Sequence, residues 1–532
     1  MQTSLKSESV TSRPDWLEQA SFLYLLIPFI LFCLTWIKLP VGLVVTAILV
    51  WLAWRTYSQP ASLSHSYPAS FRELWPGLLI LAFWVFLSGI GGFAFQNYDQ
   101  HFRNAIFHDL INYQWPVIYH NLANSNQDLM LVYYIGFWLP SALVGKAFGW
   151  VAANIALYLW TWLGVSLVTM QISKRLHWPI FYSALLLIFF SGMDALGVIM
   201  APHDYPTLWP PIQHLEWWAN TMQYSSFTTQ LFWVFNQTVP AMLCIALLIN
   251  RNNKRYILLI WSLCFFYAPL PALGLFPIAA LAILQPSTER SINPSLKKCP
   301  AVVAYIKSIL LQLTESISFE NGIGGGIILA VAFLYFLVNR NSSDYGFFTR
   351  GQIYIPDYIT FILLEGVLLW IMLVPKAKNR IEWIVVGSML FLFPWIKVGG
   401  SIDFCMRASI PALFYLMIGV GEGLTNKNRA LTSILALCLL IGAFTPLYEI
   451  DRSVYRTAVY YYHVFKNPPS QNGPVLDNLQ GLFLPYRPEK DHVQSLTADY
   501  LPSISMLRPD LIVNFAANPE KSIYFKYLLP DR

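Results

Sequence analysis

Apolar runs of membrane-spanning length recur along this chain from about residue 21 to residue 447. A transmembrane helix needs about 20 predominantly apolar residues, and about thirteen runs reach or approach that length. Hydrophobic residues make up 56% of the 532 residues and charged residues only 12%, whereas a soluble domain carries about 25% charge. The chain therefore lacks the polar surface to cover itself in water, which excludes a soluble enzyme.

The predicted fold is all-α and polytopic, with about 13 (12–14) transmembrane helices. Residues 1–20 are polar and lack the apolar core and cleavage site of a secretory signal, so the run at about 21–37 is expected to be a retained anchor. The other predicted spans are approximately 40–54, 75–95, 149–171, 178–199, 231–249, 256–268, 270–285, 323–339, 356–375, 381–397, 404–422 and 430–447.

Basic residues predict the orientation, because short cytoplasmic loops carry an excess of Lys and Arg. Segment 200–230 contains neither, and segment 96–145 contains only Arg103, so both are predicted to lie outside. The N-terminus is then cytoplasmic, and a bacterial inner membrane is the favoured location. The side predicted to be cytoplasmic carries Lys174, Arg175, Arg251, Lys254, Arg255, Lys297, Lys298, Lys376, Lys378, Arg380, Lys427 and Arg429.

The predicted domains are a cytoplasmic segment 1–20, a membrane domain 21–447 and an extracytoplasmic tail or small domain 448–532. The tail is rich in proline and charge and has no spanning run. Outer loop 1 covers about 96–148 and outer loop 2 about 200–230. Within loop 1, residues 130–148 are apolar enough to span, but we expect a kinked juxtamembrane or re-entrant helix broken near Gly136 and Pro140, because a further span would invert the downstream basic clusters.

Ionisable and aromatic side chains concentrate in the two outer loops. Long, aromatic loops of this kind are typical of functional loops, and clustered ionisable groups are typical of sites. The alternative is a surface cap whose His and Trp side chains satisfy the headgroup interface. The loop candidates are Asp99, His101, Arg103, Asp109, His203, Asp204, His214, Glu216, Trp217, Trp218 and Tyr224.

A third candidate element is the segment around Asp403 and Arg407, at the predicted outer start of a span. The two residues are four apart, so on a helix they share one face. They form either a simple intrahelical ion pair or a site in which Arg407 faces a phosphate, which its planar guanidinium suits.

The loop sequence Asp99-Gln100-His101-Phe102, followed by Trp115-Pro116, resembles the GT-C superfamily of polytopic glycosyltransferases. The similarity is strongest to protein O-mannosyltransferases and lipid A aminoarabinose transferases. Members of these families commonly have Asp-Glu followed by an aromatic residue, whereas Gln100 stands here in place of the Glu. The resemblance covers residues 96–120, and elsewhere it is architectural.

The resemblance implies inverting transfer of a sugar from a polyprenyl phosphate or diphosphate to a glycan, lipid or protein acceptor on the extracytoplasmic face. Asp99 would be the general base, although an N-cap of the next helix is an alternative role. Arg407, with Arg103, His203 or His214, would hold the donor phosphate. Sugar or acceptor would contact His101, Asp109, Asp204, Glu216, Trp217, Trp218, Tyr224 and Asp403.

Scattered single acids do not establish a cation site, so the sequence leaves open whether Mg²⁺ or Mn²⁺ takes part. Membrane lipids are expected partners and nucleic acid is not. The main alternative function is a multi-pass transporter or lipid flippase, for which Asp194 and Glu365 are the clearest acids within predicted spans. Further alternatives are a non-catalytic envelope polysaccharide assembly protein and a polysaccharide ligase.

Overall fold

The computed structural model describes most of the chain, with gaps. The described residues are 15–58, 71–97, 99–120, 128–200, 214–219, 221–250, 254–284, 310, 312–314, 316–339, 345–348, 353–377, 379–398, 403–466, 488–489, 492–493, 503–507, 509–520 and 522–530. The described part is mainly helical, which confirms the predicted all-α class.

The α-helices of the described residues are numbered in chain order. Their bounds are α1 Trp16–Trp36, α2 Leu39–Ser58, α3 Phe71–Leu87, α4 Asp99–Asn112, α5 Leu139–Leu176, α6 Ile180–Phe189, α7 Asp194–Met200, α8 Phe227–Asn250, α9 Ile257–Tyr267, α10 Pro269–Leu284, α11 Gly326–Phe336, α12 Ile355–Ile362, α13 Leu368–Leu373, α14 Arg380–Leu392, α15 Asp403–Ala408, α16 Ile410–Leu424, α17 Arg429–Gly442, α18 Phe444–Lys466, α19 Pro509–Ile512 and α20 Ile523–Tyr527. Two π-helical segments, Glu320–Gly325 and Leu363–Val367, precede α11 and α13.

Six helical stretches within the described residues are long and apolar enough to cross a membrane. Shorter apolar helices accompany them, so the chain has the character of a membrane protein. The predicted count of about thirteen spans is not established by these lengths. The six stretches are Trp16–Trp36, Ile135–Leu176, Ile180–Met200, Phe227–Asn250, Ile355–Leu373 and Arg429–Val459.

Polar contacts near helix termini identify one end of the bundle, which we call the Lys174 end. Lys174 forms an ion pair with Asp15, which also caps α1 by accepting a hydrogen bond from the backbone N–H of Leu17 at 3.1 Å. Arg175 pairs with Glu422 at 3.0 Å, which brings the C-terminus of α5 to that of α16. Because α16 runs from here to the region of Arg407, that residue lies toward the opposite end.

The stretch 135–176 is 42 residues long, or roughly 63 Å at 1.5 Å per residue. That is about twice the hydrocarbon thickness of a bilayer, so one straight crossing does not account for it. The helix is interrupted at Gly149, whose φ of 84° is in the region that favours glycine. Near the predicted break at Gly136 and Pro140, the 3-10 helix Ile135–Trp138 is followed by α5 from Leu139, and the interruption at Gly149 is a further one that was not predicted from the sequence. Pro140 lies in the first turn of α5, where proline starts a helix rather than breaking it.

The strands are short and lie between the helices. They are β1 Ile118–Tyr119, β2 Leu129–Leu131, β3 Tyr345–Phe347, β4 Ile396–Val398, β5 Pro488–Glu489, β6 His492–Val493 and β7 Ala516–Ala517. The sheets are antiparallel, in the orders β1-β2-β7, β3-β4 and β5-β6.

The C-terminal segment, residues 503–530 as far as described, packs against outer loop 1 and the end of α1. In its strand, Ala516 pairs with Leu131 and Ala517 with Met130. The Tyr524 hydroxyl donates to the carbonyl of Trp36 at 2.5 Å. This part of the tail is thus an integral part of the structure around outer loop 1. The predicted domain boundary at 447/448 falls inside α18.

Candidate active site

Asp99 is the first residue of α4, and the predicted helix over the following residues is confirmed. Its Oδ2 accepts a hydrogen bond from Nη2 of Arg103, one turn later, at 3.2 Å. The Asp99 side chain is 39% exposed, whereas that of Arg103 is 4% exposed. The Asp99 carboxylate is thus oriented by Arg103 on one side and remains accessible to a hydroxyl group from solvent.

A second acid–arginine pair, on α15, repeats this arrangement. Nη2 of Arg407 lies 2.9 Å from Oδ1 of Asp403. The Arg407 side chain is 11% exposed and that of Asp403 41%. Both pairs therefore present a partly exposed carboxylate and a nearly buried guanidinium.

Both pairs lie within electrostatic range of the Tyr133 hydroxyl. Burial raises the pKa of its hydroxyl, the charges of Arg103 and Arg407 lower it, and those of Asp99 and Asp403 raise it. Since one hydroxyl is within electrostatic range of all four groups, the two pairs lie in the same region of the structure.

Arg407 reports the same convergence. It lies within electrostatic range of Asp403, of the Tyr133 and Tyr134 hydroxyls and of Asp99. Asp99 and Arg407, 308 positions apart in the printed sequence, thus interact through space.

The two guanidinium groups have N–H donors that are buried without a hydrogen-bond partner among the described residues. These atoms are Nε and Nη1 of Arg103 and Nε of Arg407. A buried charged donor left unpaired is costly, and Arg supplies five donors in a fork that suits a phosphate. The arrangement is chemically suited to an anion.

Aromatic rings border these charges. Phe102 stacks on Phe515 of the C-terminal segment, with ring centroids 5.6 Å apart and planes inclined by 21°. The ring centroids of Tyr133 and Phe515 are 5.3 Å apart, with the planes inclined by 48°. His101, a predicted sugar or acceptor contact, is half-buried with its ring edge-on to Phe102 at 5.5 Å.

Asp109, also predicted to contact sugar or acceptor, is fully buried and joins outer loop 1 to the tail. Its Oδ2 accepts from the Tyr119 hydroxyl at 2.6 Å and from the backbone N–H of Ile504 at 2.9 Å. Burial raises its pKa to about 6, against the lowering effect of the Tyr119, Ile504 and Ser503 hydrogen bonds. These contacts give Asp109 a structural part in holding the tail.

His214 and Glu216 lie in a different cluster, which is almost entirely buried. Nδ1 of His214 is 2.6 Å from Oε1 of Glu449, and Gln223 donates to Glu216 at 2.9 Å. Burial lowers the pKa of His214, but the charge of Glu449 and hydrogen bonds to Glu216 and Glu449 raise it to about 9. His214 is therefore protonated and lies between the carboxylates of Glu449 and Glu216. Trp217 beside it is 51% exposed.

Arg452 connects this cluster to the start of the Asp99 helix. Its Nη2 donates to Glu449 at 2.9 Å and also to the side-chain oxygen of Asn97. Gln100 donates to the carbonyl of Phe232 at 3.0 Å. Asn97 and Gln100, on either side of Asp99, are thus held by α18 and α8.

Asp194 and Glu365 form a third buried group, within apolar helices. Asp194 accepts from the Trp218 indole at 3.0 Å and from the Thr445 hydroxyl at 2.8 Å. A Cβ on Gly192 would clash with Oε2 of Glu365, so this carboxyl closely approaches the backbone. Trp218 is therefore engaged away from Asp99.

The remaining predicted residues add little to the site around Asp99. Tyr224 is buried and donates to the carbonyl of Leu390 at 2.7 Å. His203 and Asp204 lie outside the described residues. No grouping of three or more His, Cys, Asp or Glu side chains suited to a metal ion is found in the part of the chain that was described.

Sequence reasoning missed Glu449, Arg452, Tyr133 and Phe515. The first two belong to α18, which was assigned to the tail because of its charge. Glu449, Arg452 and Arg456 are spaced three and four residues apart, which places them on one face of a helix. This spacing was the signal that a polar helical face packs inside the helix bundle.

Comparison with known proteins adds no assignment. No protein-family model, no curated protein and no solved structure matches this chain.

Proposed function

We propose that this protein is an inverting membrane glycosyltransferase of the GT-C type, which takes a sugar from a polyprenyl-phosphate-linked donor. The acceptor is a hydroxyl group of a glycan, lipid or protein on the extracytoplasmic face. The observation that carries the proposal is the convergence of Asp99, Arg103 and Arg407 from distant parts of the chain. A partly exposed acid that is paired with Arg103 and lies within electrostatic range of Arg407, both arginines having unpaired donors, supports a base next to a phosphate.

Asp99 is the general base in the proposed reaction. Its carboxylate takes the proton of the acceptor hydroxyl while that oxygen forms a bond to the anomeric carbon. The bond from the anomeric carbon to the phosphate oxygen breaks, and the phosphate leaves with the bonding electron pair. Attack from the face opposite the leaving group inverts the configuration, and Asp99 then releases its proton to solvent.

Arg103 and Arg407 stabilise the departing phosphate. Negative charge develops on its oxygen as the bond breaks, and fixed donors aimed at that charge lower the barrier. The unpaired Nε and Nη1 of Arg103 and Nε of Arg407 supply such donors. Arg103 also orients Asp99 through its remaining Nη2.

The proposal includes about thirteen membrane crossings, a cytoplasmic N-terminus, an extracytoplasmic C-terminus and a bacterial inner membrane. Its support is the location of Lys174 and Arg175 at the end of the bundle away from Arg407. With the positive-inside rule, this gives Asp99 and Arg407 an extracytoplasmic location.

The test is transfer of radiolabelled sugar by the purified protein in proteoliposomes. Polyprenyl-phosphate glucose, mannose, galactose and aminoarabinose are supplied in turn, with a bacterial envelope extract as acceptor. We expect one donor to be consumed and the product to have the anomeric configuration opposite to that of the donor, as read by NMR. Retention of configuration, or no consumption of any donor, would contradict the proposal.

A proton-coupled transporter is the second candidate, supported by the buried Asp194 and Glu365. Ionisable groups within apolar helices commonly belong to ion or proton pathways, and Glu365 lies in a π-helical segment of the kind often found at functional sites. Glu365→Gln separates the two candidates. A transporter would lose proton-driven solute flux in vesicles, whereas a glycosyltransferase that uses Asp99 would keep sugar transfer.

A further inference from the structure

Phe515 of the C-terminal segment lies at the border of the proposed site. Its ring is only half-buried and is stacked on Phe102, the residue before Arg103. Tyr133 lies at 5.3 Å from it, and Tyr134 at 4.7 Å from Tyr133. Four partly exposed rings thus adjoin the charged groups.

The backbone at Phe515 is fixed independently of its ring. Its carbonyl accepts from the N–H of Val132 at 2.8 Å, and the next residue, Ala516, pairs with Leu131 in the sheet. The neighbouring Ile512 and Ala516 are buried at 2% and 3% exposure. The segment therefore remains attached when the Phe515 side chain is changed.

The rings and the charges together have the chemistry of a sugar phosphate. Aromatic faces carry negative potential and attract the polarised C–H groups on one face of a pyranose ring. The arginine donors beside them suit the phosphate to which the anomeric carbon is attached. Tyr133 joins the two halves, since it contacts Phe515 and is within electrostatic range of Arg103 and Arg407.

We propose that the C-terminal segment completes the substrate site and that Phe515, with Phe102 and Tyr133, binds the pyranose ring of the donor. This inference rests on the proposed glycosyl transfer. Phe515 is then a residue that determines affinity and sugar preference, while Asp99 carries out the proton transfer.

Phe515→Leu separates sugar binding from simple packing, because leucine retains apolar bulk but has no aromatic face. Phe515→Trp retains an aromatic face. Phe525→Leu is the matched control, since Phe525 is the half-buried phenylalanine of α20 in the same segment. Each variant is prepared as the full chain in lipid nanodiscs.

Two measurements are made with the donor that the wild-type protein consumes. For Phe515→Leu we expect about a tenfold higher KM for this donor, corresponding to about 1.4 kcal/mol, with a smaller change in kcat. Phe515→Trp and Phe525→Leu should keep KM within twofold of wild type. An unchanged KM in Phe515→Leu, or an equal rise in Phe525→Leu, would overturn the inference while leaving the proposed function intact.

Calorimetric binding is the second measurement and does not depend on turnover. Wild type should bind the polyprenyl-phosphate sugar more tightly than the bare polyprenyl phosphate, and Phe515→Leu should lose most of that difference. Equal affinities of the wild-type protein for both lipids would overturn the inference. Absence of transfer despite sugar-dependent binding would instead contradict the proposed function and support the sugar-binding surface.

Discussion

Arg103 donates to Asp99 through Nη2 at 3.2 Å while its Nε and Nη1 are buried without partners among the described residues. One side chain thus holds the proposed base and offers free donors beside it. In the proposed site, this guanidinium would offset the repulsion between the carboxylate of Asp99 and the donor phosphate. Arg407, which is distant from Arg103 in the sequence, is the second cation near Asp99.

Arg407→Lys tests the role of the planar donor group. Lysine keeps the positive charge but cannot offer the two-pronged geometry, so we expect about tenfold weaker donor binding, or about 1.4 kcal/mol. Calorimetry with the polyprenyl-phosphate sugar in nanodiscs measures this. Arg175→Lys is the control, because Arg175 forms a similar pair with Glu422 at the Lys174 end. Equal affinities of wild type and Arg407→Lys would remove Arg407 from the phosphate site.

Asp109 should make stability depend on pH in the acid range. Its pKa is raised from 3.8 to about 6 by burial, so between these values the folded protein binds the proton more tightly than the unfolded chain. The free energy of unfolding therefore falls as pH rises from about 4 to about 6, by about 3 kcal/mol for a shift of this size.

Asp109→Asn should remove this contribution, since asparagine does not titrate and still accepts a hydrogen bond from Tyr119. The measurement is the difference in thermal unfolding midpoint between wild type and variant at pH 4, 5 and 6. We expect the variant to gain relative stability as pH rises. A difference that does not vary with pH would show that Asp109 does not titrate in this window.

His214 should make stability depend on pH in the neutral to alkaline range. Its pKa is raised from 6.5 to about 9 by Glu449 and Glu216 in spite of burial. The stabilisation is fully present below about pH 6.5 and is lost as pH rises through about 9, again amounting to about 3 kcal/mol. In His214→Gln the unfolding midpoint should vary less between pH 6.5 and 9.5 than in wild type. Parallel pH profiles would mean that His214 is neutral in the folded protein.

Much of the architecture could be predicted because apolar length and basic residues constrain a membrane chain strongly. The helical class and the helix after Asp99 follow from the sequence in this way. The interruption at Gly149 does not follow from the sequence, because a glycine within an apolar run does not reveal its φ angle until the backbone is seen.

Only part of the candidate site could be predicted from the sequence. Asp99, Arg103 and Arg407 stand out as charges beside apolar runs, but Phe515 looks like any phenylalanine of a polar tail. Only pairing between β2 and β7 brings it to Tyr133. Contacts between residues so distant in sequence leave no local pattern, which is also why the Glu449–Arg452 cluster was missed.

The central claim is that Asp99 removes the acceptor proton, and Asp99→Asn tests it most directly. General-base catalysis contributes about 10²- to 10⁴-fold, so the variant should lose sugar transfer by at least that lower factor while keeping donor affinity and its unfolding midpoint. Glu422→Gln is the matched control, a carboxylate of 38% exposure paired with Arg175 at the opposite end. Transfer by Asp99→Asn within a few-fold of wild type, measured in the same proteoliposomes, would contradict the assignment.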